Sequence, residues 1–312
     1  MPGEPSSAGA FAMRRFEEAS EQERSLPGFA QHYSQLSPGR FEGSISSLSL
    51  PGFSILRERI NVSVVQAFTA PKDRVVSFCL PSHAGGFHSN GEGQVGGSLG
   101  VGHGWSRLGV SEENSDIIMV VADIAVFDED ARPEAGAVRT GPSTASADAL
   151  FDWLASLLAV YASGEAARSP GLDLLIADLL RDRLGALSAS LSGSSADRPR
   201  IDRRAHALHG EMQDWLATHP REPATVASLS RALGASSAEL RRASLAVLGT
   251  ALDALLLTRR LDLARRDIIE ARRTSRRICD IALDWGFSHW GRFSGTYRDF
   301  FGETPSRTLR GG

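Results

Sequence analysis

The chain has 312 residues and a mass of 33.4 kDa, more than one compact core normally organises, so two domains are expected. Its 42% hydrophobic and 23% charged residues describe a globular protein and exclude a disordered or fibrous one. No run reaches the ~18 apolar residues of a membrane span, the Gly/Ser/Glu-rich start is unlike a secretory leader, and two distant cysteines, Cys79 and Cys279, supply neither a disulfide framework nor a Cys-rich zinc site; a reduced, cytoplasmic protein with no membrane contact is expected.

The net charge of −3 hides an asymmetry. Residues 1–197 hold 14 basic and 24 acidic side chains, and residues 198–312 hold 20 and 13. The balance is −10 in the first part and +7 in the second, which suits a C-terminal part that meets a polyanion. Every basic residue after Lys72 is arginine, the residue suited to bidentate contacts with phosphate or guanine.

In chain order, residues 1–40 form an N-terminal segment. From Phe41 to about Phe127 the sequence is rich in Gly, Ser and Val. Ser44–Leu50, Phe53–Ala70, Arg74–Leu80 and Asp116–Phe127 read as strands between Pro and Gly breaks. Gly85 to Gly104 reads as a glycine-rich loop with weak strand content. Short strands punctuated this way predict a small barrel or sandwich.

From Ser146 the pattern turns helical. Leu150, Phe151, Leu154, Leu157, Leu158 and Tyr161 line one face at three- and four-residue intervals. After a break at Ser169-Pro170-Gly171, Leu172, Leu175, Ile176, Leu179, Leu180, Leu184 and Leu187 repeat the device. This predicts an αα-hairpin whose apolar faces either pack within the chain or form the seam of a dimer. Leu191–Pro199 reads as a flexible linker. Helices are then expected at His206–Thr218 (Met212, Trp215 and Leu216 inward), Thr225–Leu233, Ser237–Leu248, Leu252–Glu270, Arg276–Trp285 and His289–Phe301.

Two of these helix pairs share a layout. Val226–Leu233 ends at Gly234, Ser236 follows, and the next helix carries Leu240, Arg241 and Arg242. Ile278–Trp285 ends at Gly286, Ser288 follows, and the next helix carries Arg292, Phe293, Tyr297 and Arg298. A small residue in mid-helix (Ser230, Ala282) permits a close crossing, the glycine permits a left-handed turn, and the serine is placed to cap the second helix. That is the pattern of a helix-turn-helix, whose second helix enters the DNA major groove. With a long helix between the two units, one chain can address two successive grooves.

The run Ile281-Ala282 through Gly286-Phe287, then Gly291-Arg292-Phe293-Ser294, Tyr297-Arg298, Phe301-Gly302-Glu303, Pro305-Ser306 and Leu309-Arg310, resembles the signature of AraC/XylS-type transcription regulators. Arg260-Leu261 and Ala264-Arg265 match that family's linker helix. The resemblance implies an α+β protein: an N-terminal small β-barrel (cupin-like) with a helical hairpin, followed by an all-α domain of seven helices with two helix-turn-helix units. It implies an effector-sensing and dimerising domain over residues 41–190 (barrel about 41–130, hairpin about 146–190), a linker over 191–200 and a DNA-binding domain over 201–312. Implied partners are double-stranded DNA, RNA polymerase, a small-molecule effector and a second copy of the chain, with activation as the usual outcome. The first unit departs from the family pattern. Ser244 replaces an aromatic, Ala251-Leu252 and Leu255 replace a Ser-Pro pair and a following aromatic, and Ala238 stands where an arginine is frequent; Leu245, Leu248 and Leu252 are left to build the core.

Candidate base-reading residues are Ser236, Ser237, Glu239, Arg241 and Arg242 in the first reading helix. In the second they are Ser288, His289, Trp290 and Arg292, with Phe293 and Tyr297 turned inward. Arg292 is the leading candidate for guanine. Arg298 is a phosphate clamp or a surface salt bridge, and Arg272, Arg273, Arg276 and Arg277 are candidate phosphate contacts. From Phe53 to Arg59, alternation sets Phe53, Ile55, Arg57 and Arg59 on one face and Ser54, Leu56, Glu58 and Ile60 on the other. If the first face lines a pocket, it favours an anionic effector; the alternative is an outward arginine face. His83, His88, His103 and Cys79 match no metal-ligand spacing, so neither metal nor cofactor is expected. A cupin-like barrel enzyme fused to a DNA-binding module is the competing class, and residues 41–127 lack the His-x-His…Glu…His set it would use.

Overall fold

The computed structural model describes residues 10–26, 28–89, 92–94, 98–127, 132, 135–136, 138–142, 144–164, 170–192 and 203–311. Most of the expected linker and the Ser169 break lie outside the described residues. The N-terminal part is built from β1 (Ala10–Phe16), α1 (Ala19–Gln22), β2 (Ala30–Gln35), β3 (Gly43–Leu50), β4 (Phe53–Ile60), β5 (Val64–Thr69), β6 (Arg74–Leu80), β7 (Phe87–Ser89), β8 (Glu92–Gln94), β9 (Ser98–Gly102), β10 (Ser106–Ser111), β11 (Ser115–Asp123) and β12 (Val138–Pro142). Two helices follow, α2 (Thr144–Ser163) and α3 (Pro170–Ser192).

The strands form two antiparallel sheets, β1-β3-β4-β11-β6-β9-β12 and β2-β5-β10-β7-β8. Both are open, so the described residues give a layered sheet domain rather than the closed cupin-like barrel expected. The run Phe53–Ala70, read as one strand, is two strands in different sheets. Between them Asn61 holds a corner: its Oδ1 accepts from the Glu42 N–H and its Nδ2 donates to the Arg40 carbonyl. β-Branched residues on both sides of that corner, Ile60 before it and Val62 and Val64 after it, mask it in the sequence. Residues before Phe41 are part of both sheets, with β1 paired to β3 and β2 paired to β5.

Alternation sorts the layers. In β4, Phe53 and Ile55 join Ile118, Val120, Phe151, Leu154, Leu158 and Leu180 in a core beneath α2 and α3. Leu56 and Ile60, on the opposite face, join Tyr33, Val64, Phe78, Trp105 and Met119 between the two sheets. The far face of the second sheet gives Val65 and Val110 to a third core shared with the C-terminal helices. Residues 145–163 of α2, with mean hydropathy 1.2, are long and apolar enough to cross a membrane by length and composition, yet Phe151, Leu154 and Leu158 are buried against the sheet.

The C-terminal domain comprises α4 (Arg203–Thr218), α5 (Val226–Leu233), α6 (Ser237–Leu248), α7 (Leu252–Glu270), α8 (Ile278–Asp284), α9 (Trp290–Phe301) and α10 (Pro305–Arg310). The expected limits of α6 and α7 coincide with those observed. Met212, Leu216, Leu229, Leu240, Val247, Leu252 and Leu256 form one core, and Leu261, Ala264, Ile268, Ile281, Trp285, Phe293 and Tyr297 form another. The first turns of α7 belong to one and its last turns to the other. Its 19 residues make a rod of about 28 Å.

Candidate nucleic-acid interface

The first helix-turn-helix comprises α5 and α6. Thr225 and Ser228 form a reciprocal capping box at the start of α5, and Gly234 ends the helix at φ +63°. Ser230, the small residue of the crossing, donates to the Ala235 carbonyl at 2.6 Å and so fixes the turn. Ser236 caps α6 in a second box with Glu239, each box satisfying orphan N–H groups at a helix start. Glu239 is therefore occupied by Ser236, and it also pairs with Arg204; these bonds hold its carboxyl below the usual range. Ser236, Arg241 and Arg242 are exposed and Ser237 is half-buried, and Arg241 is paired in bidentate fashion with Asp253 at 2.7 and 3.1 Å. Ser244, in the family's aromatic position, is buried and donates to the Thr250 carbonyl. Leu248, Leu252 and Leu255 fill the core, whereas Leu245 points outward at 61% exposure, contrary to expectation.

The second unit comprises α8 and α9. Ala282 is buried at the crossing. Gly286 has φ +78°, and a Cβ there would meet Pro223 and Arg260 at 3.3 Å. Arg260 lies over the Phe287 ring at 5.1 Å, tying the turn to α7. The helix begins one residue later than expected: His289 is the N-cap, without a side-chain cap bond, so Ser288 does not cap α9. Ser288, His289, Trp290 and Arg292 are all exposed at the start of the helix. Phe293 and Tyr297 are buried, as the spacing predicts. Trp290 rests against Phe293 (5.9 Å between ring centres) while staying 44% exposed.

The arginines ahead of α8 have distinct surroundings. Arg272 donates to the Thr308 carbonyl at 3.0 and 2.6 Å, which ties it to α10. Arg276 bridges Asp267 and Asp284, and Arg277 pairs with Asp280, whose carboxyl it holds below the usual range. Arg273 is exposed. Arg298 pairs with its neighbour Asp299.

A clasp between the two domains was not foreseen. Arg265 of α7 donates to Glu18, Glu303, the Tyr297 hydroxyl and Thr308. Arg266 donates to Asp262, to both oxygens of Glu23 and to the Tyr33 carbonyl. Glu23 also accepts the Tyr33 N–H at 2.7 Å. The outer edge of β2 is thus closed by an ion pair instead of another strand. The sequence signal was adjacent arginines one turn beyond Asp262, with no means of showing that their partners lie over 230 residues away.

The effector residues expected from β4 are not brought together in a pocket. Phe53 is core beneath α2 and α3, Arg57 lies over the Phe151 ring at 5.0 Å, and Arg57 and Arg59 share Asp116. An apolar cavity lies on the other side, between the sheets, and its lining includes Tyr33, Glu58, Phe68, Phe78, Phe87 and Trp105; a second, more open and polar cleft of this domain is lined by Arg15, Glu42, Arg59, Asn61 and Asp116, without Phe53 or Arg57. Cys79, buried in the core with its thiol pushed up to about 12, is far in role from His88, which meets Glu112, and from His103, which meets the Lys72 carbonyl.

Residues 229–311 match the model of the helix-turn-helix domain family. Over 116 residues the chain is 39% identical to the "Probable thc operon regulatory protein" of Rhodococcus erythropolis, covering 36% of this chain and 35% of that protein. Over 62 residues it is 44% identical to the "XylDLEGF operon transcriptional activator" of Pseudomonas putida, covering 20% and 19%. The matches thus span about a third or less of these curated relatives. Among solved structures, the AraC-like transcriptional activator CuxR aligns over 88% of this chain and 100% of its own, with 13% identity and a TM-score of 0.42. The C-terminal domain is a double helix-turn-helix module. In that domain the chain is similar to regulators of the AraC/XylS type.

Proposed function

We propose that this protein is a transcription regulator that reads duplex DNA with α6 and α9 and alters that binding when a small molecule occupies its N-terminal domain. The observation that carries the reading is the pair of helix-turn-helix units at the two ends of one rod, with both reading helices open to solvent at their starts. Arg292 and Arg242 are the best-placed residues to read bases. Ser288, His289 and Trp290 approach the same groove, and Ser236, Ser237 and Arg241 approach from α6. Arg273, Arg276 and Arg277 hold phosphates, the latter two by exchanging their carboxylate partners for the backbone; Arg272 holds α10 in place. A relative's name, a transcriptional activator, favours activation; the reading adds RNA polymerase as a partner and a cytoplasmic protein that acts by binding and not by catalysis.

The second copy of a homodimer would seat on α3. Ile176, Leu180 and Leu184 face the sheet, whereas Leu172, Leu175 and Leu179 are 40%, 55% and 43% exposed. Their three- and four-residue spacing makes an apolar seam of coiled-coil type.

The test is selection of bound duplexes from a random library, then titration of the selected site. Arg292→Ala is expected to lower affinity and relax preference at one base pair by about 1–3 kcal/mol. Arg273→Ala is expected to weaken binding to all duplexes and flatten the salt dependence by about one phosphate contact. Selection of no common sequence, or unchanged preference in the Arg292 variant, overturns the assignment.

A further inference from the structure

The cavity between the sheets combines an aromatic wall with one buried acid. Phe68 meets Trp105 edge-on at 4.6 Å and Phe87 at 6.5 Å, and Phe78 closes on Trp105 at 6.4 Å. Two glycines make room for these rings: a Cβ on Gly100 would lie 2.2 Å from the Phe78 ring, and one on Gly109 would lie 2.3 Å from that of Phe87. The enclosed cavity volume, ≈ 60 Å³, is below the about 150 Å³ that takes benzene, so a guest with a ring fits only by shifting wall side chains or by reaching into the cavity mouth.

Glu58 sits on this wall at 4% exposure. Its Oε1 lies 2.9 Å from Gln22 Nε2 and 2.8 Å from the Tyr33 hydroxyl, and its Oε2 accepts no hydrogen bond from the described residues. The Tyr33 hydroxyl also lies 3.0 Å from Gln31 Oε1, whose orientation is fixed because Gln31 Nε2 donates to the Glu23 carbonyl. One phenol proton cannot serve two acceptors. Both contacts are satisfied when Glu58 is the neutral acid and donates to the tyrosine oxygen. Burial acts in the same direction, pushing the Glu58 carboxyl above its usual range against the opposing bond from Gln22. Among the described residues no Arg, Lys or His lines the cavity, so an anion would find no countercharge there and its desolvation would go unrelieved.

We infer that the cavity is the effector site, and that its ligand is an uncharged, compact, ring-bearing molecule held by aromatic contacts and one hydrogen bond at Glu58. This rests on the regulator reading above and specifies its ligand. The site is coupled to the DNA-binding domain through Tyr33, whose side chain meets the ligand's anchor while its backbone meets Glu23 and Arg266.

The test uses three probes of one shape and different charge, benzyl alcohol, benzoate and benzylammonium, titrated calorimetrically into the full chain at neutral pH. Benzyl alcohol is expected to bind saturably and at least tenfold more tightly than either charged probe. Glu58→Gln should keep that affinity within threefold, and Glu58→Leu should lose it tenfold. Should the Glu58 variants fail to fold, Met119→Trp, which fills the cavity from its wall, should abolish binding of benzyl alcohol. Equal or tighter binding of benzoate, or of benzylammonium as a guest of the aromatic cage, overturns the inference, as does binding of none of the three. Duplex selection on the same preparation separates the two readings. A protein that selects a common sequence but takes no probe overturns the ligand class alone; one that takes benzyl alcohol with the stated preference but selects no sequence overturns the regulator reading alone.

Discussion

Replacing Arg266 by leucine should be far more damaging than neutralising its partner Glu23. Arg266 donates to Asp262 at 2.8 Å, to Glu23 at 2.7 and 3.1 Å, and to the Tyr33 carbonyl at 2.6 Å. Glu23 and Asp262 are both buried, so Arg266→Leu strands two carboxylates and a strand-edge carbonyl at once. Removing one partner of a buried pair costs about 3–5 kcal/mol, and two acids sharing one cation place this variant near 5 kcal/mol. Glu23→Gln leaves the Arg266–Asp262 pair intact, and the amide oxygen can still accept from Tyr33 or Arg266; its cost should be about 1–2 kcal/mol. Urea unfolding followed by tryptophan fluorescence and far-UV circular dichroism measures both, and divergence of the two probes would reveal domains that come apart separately. Equal losses in the two variants, or a loss below about 1 kcal/mol for Arg266→Leu, would refute the idea that this clasp fastens α7 to β2.

Three further outcomes are expected. Burial lowers the His209 imidazole from 6.5 to about 4, with His206 on the same helix adding to the effect; the unfolded chain therefore binds the extra proton between those values. Stability should fall by about 3 kcal/mol as pH drops from 6.5 to 4, then level off, and His209→Leu should flatten that part of a stability-against-pH curve; parallel curves would reject it. Ser236→Ala should cost about 1 kcal/mol through loss of a capping box, whereas Ser288→Ala should leave thermal stability nearly unchanged; equal melting losses would contradict the assigned helix starts. Exchanging Leu172, Leu175 and Leu179 for serine should convert a dimer to a monomer in sedimentation equilibrium without changing the circular dichroism spectrum, and an unaltered sedimentation mass would remove α3 from the interface.

The helical domain was legible because its signals are local. Gly234, Gly286, the Ser236–Glu239 spacing and the apolar repeat along α7 each act within a turn or two of their own position, so the limits of α6 and α7 could be read directly. The start of α9 lies one residue beyond the place its local chemistry suggests, since Ser288 has the right chemistry for a cap and only the path of the preceding turn shows that His289 occupies the place. In the sheet domain the decisive facts are non-local. Alternation along Phe53–Ile60 gave the two faces correctly but carries no information on which one meets the cavity. The alternation sets Glu58 opposite the arginines without showing that it meets a cavity, and it cannot show that Arg57 and Arg59 share one carboxylate, Asp116, more than 50 residues away. The clasp of Glu18 and Glu23 with α7 depends on contacts between the two ends of the chain, which no periodicity records.

One peptide unit separates Val64 from Val65, and the pleat sends them to opposite sides of the same sheet. Val64 belongs to the core between the sheets and Val65 to the core of the first helix-turn-helix unit. A wall with occupants on both sides cannot be repapered on one side only. Substitutions that reshape the guest chamber will also shift the footing of α4 and α6, so changes in ligand preference and in DNA grip should tend to arise together in this protein.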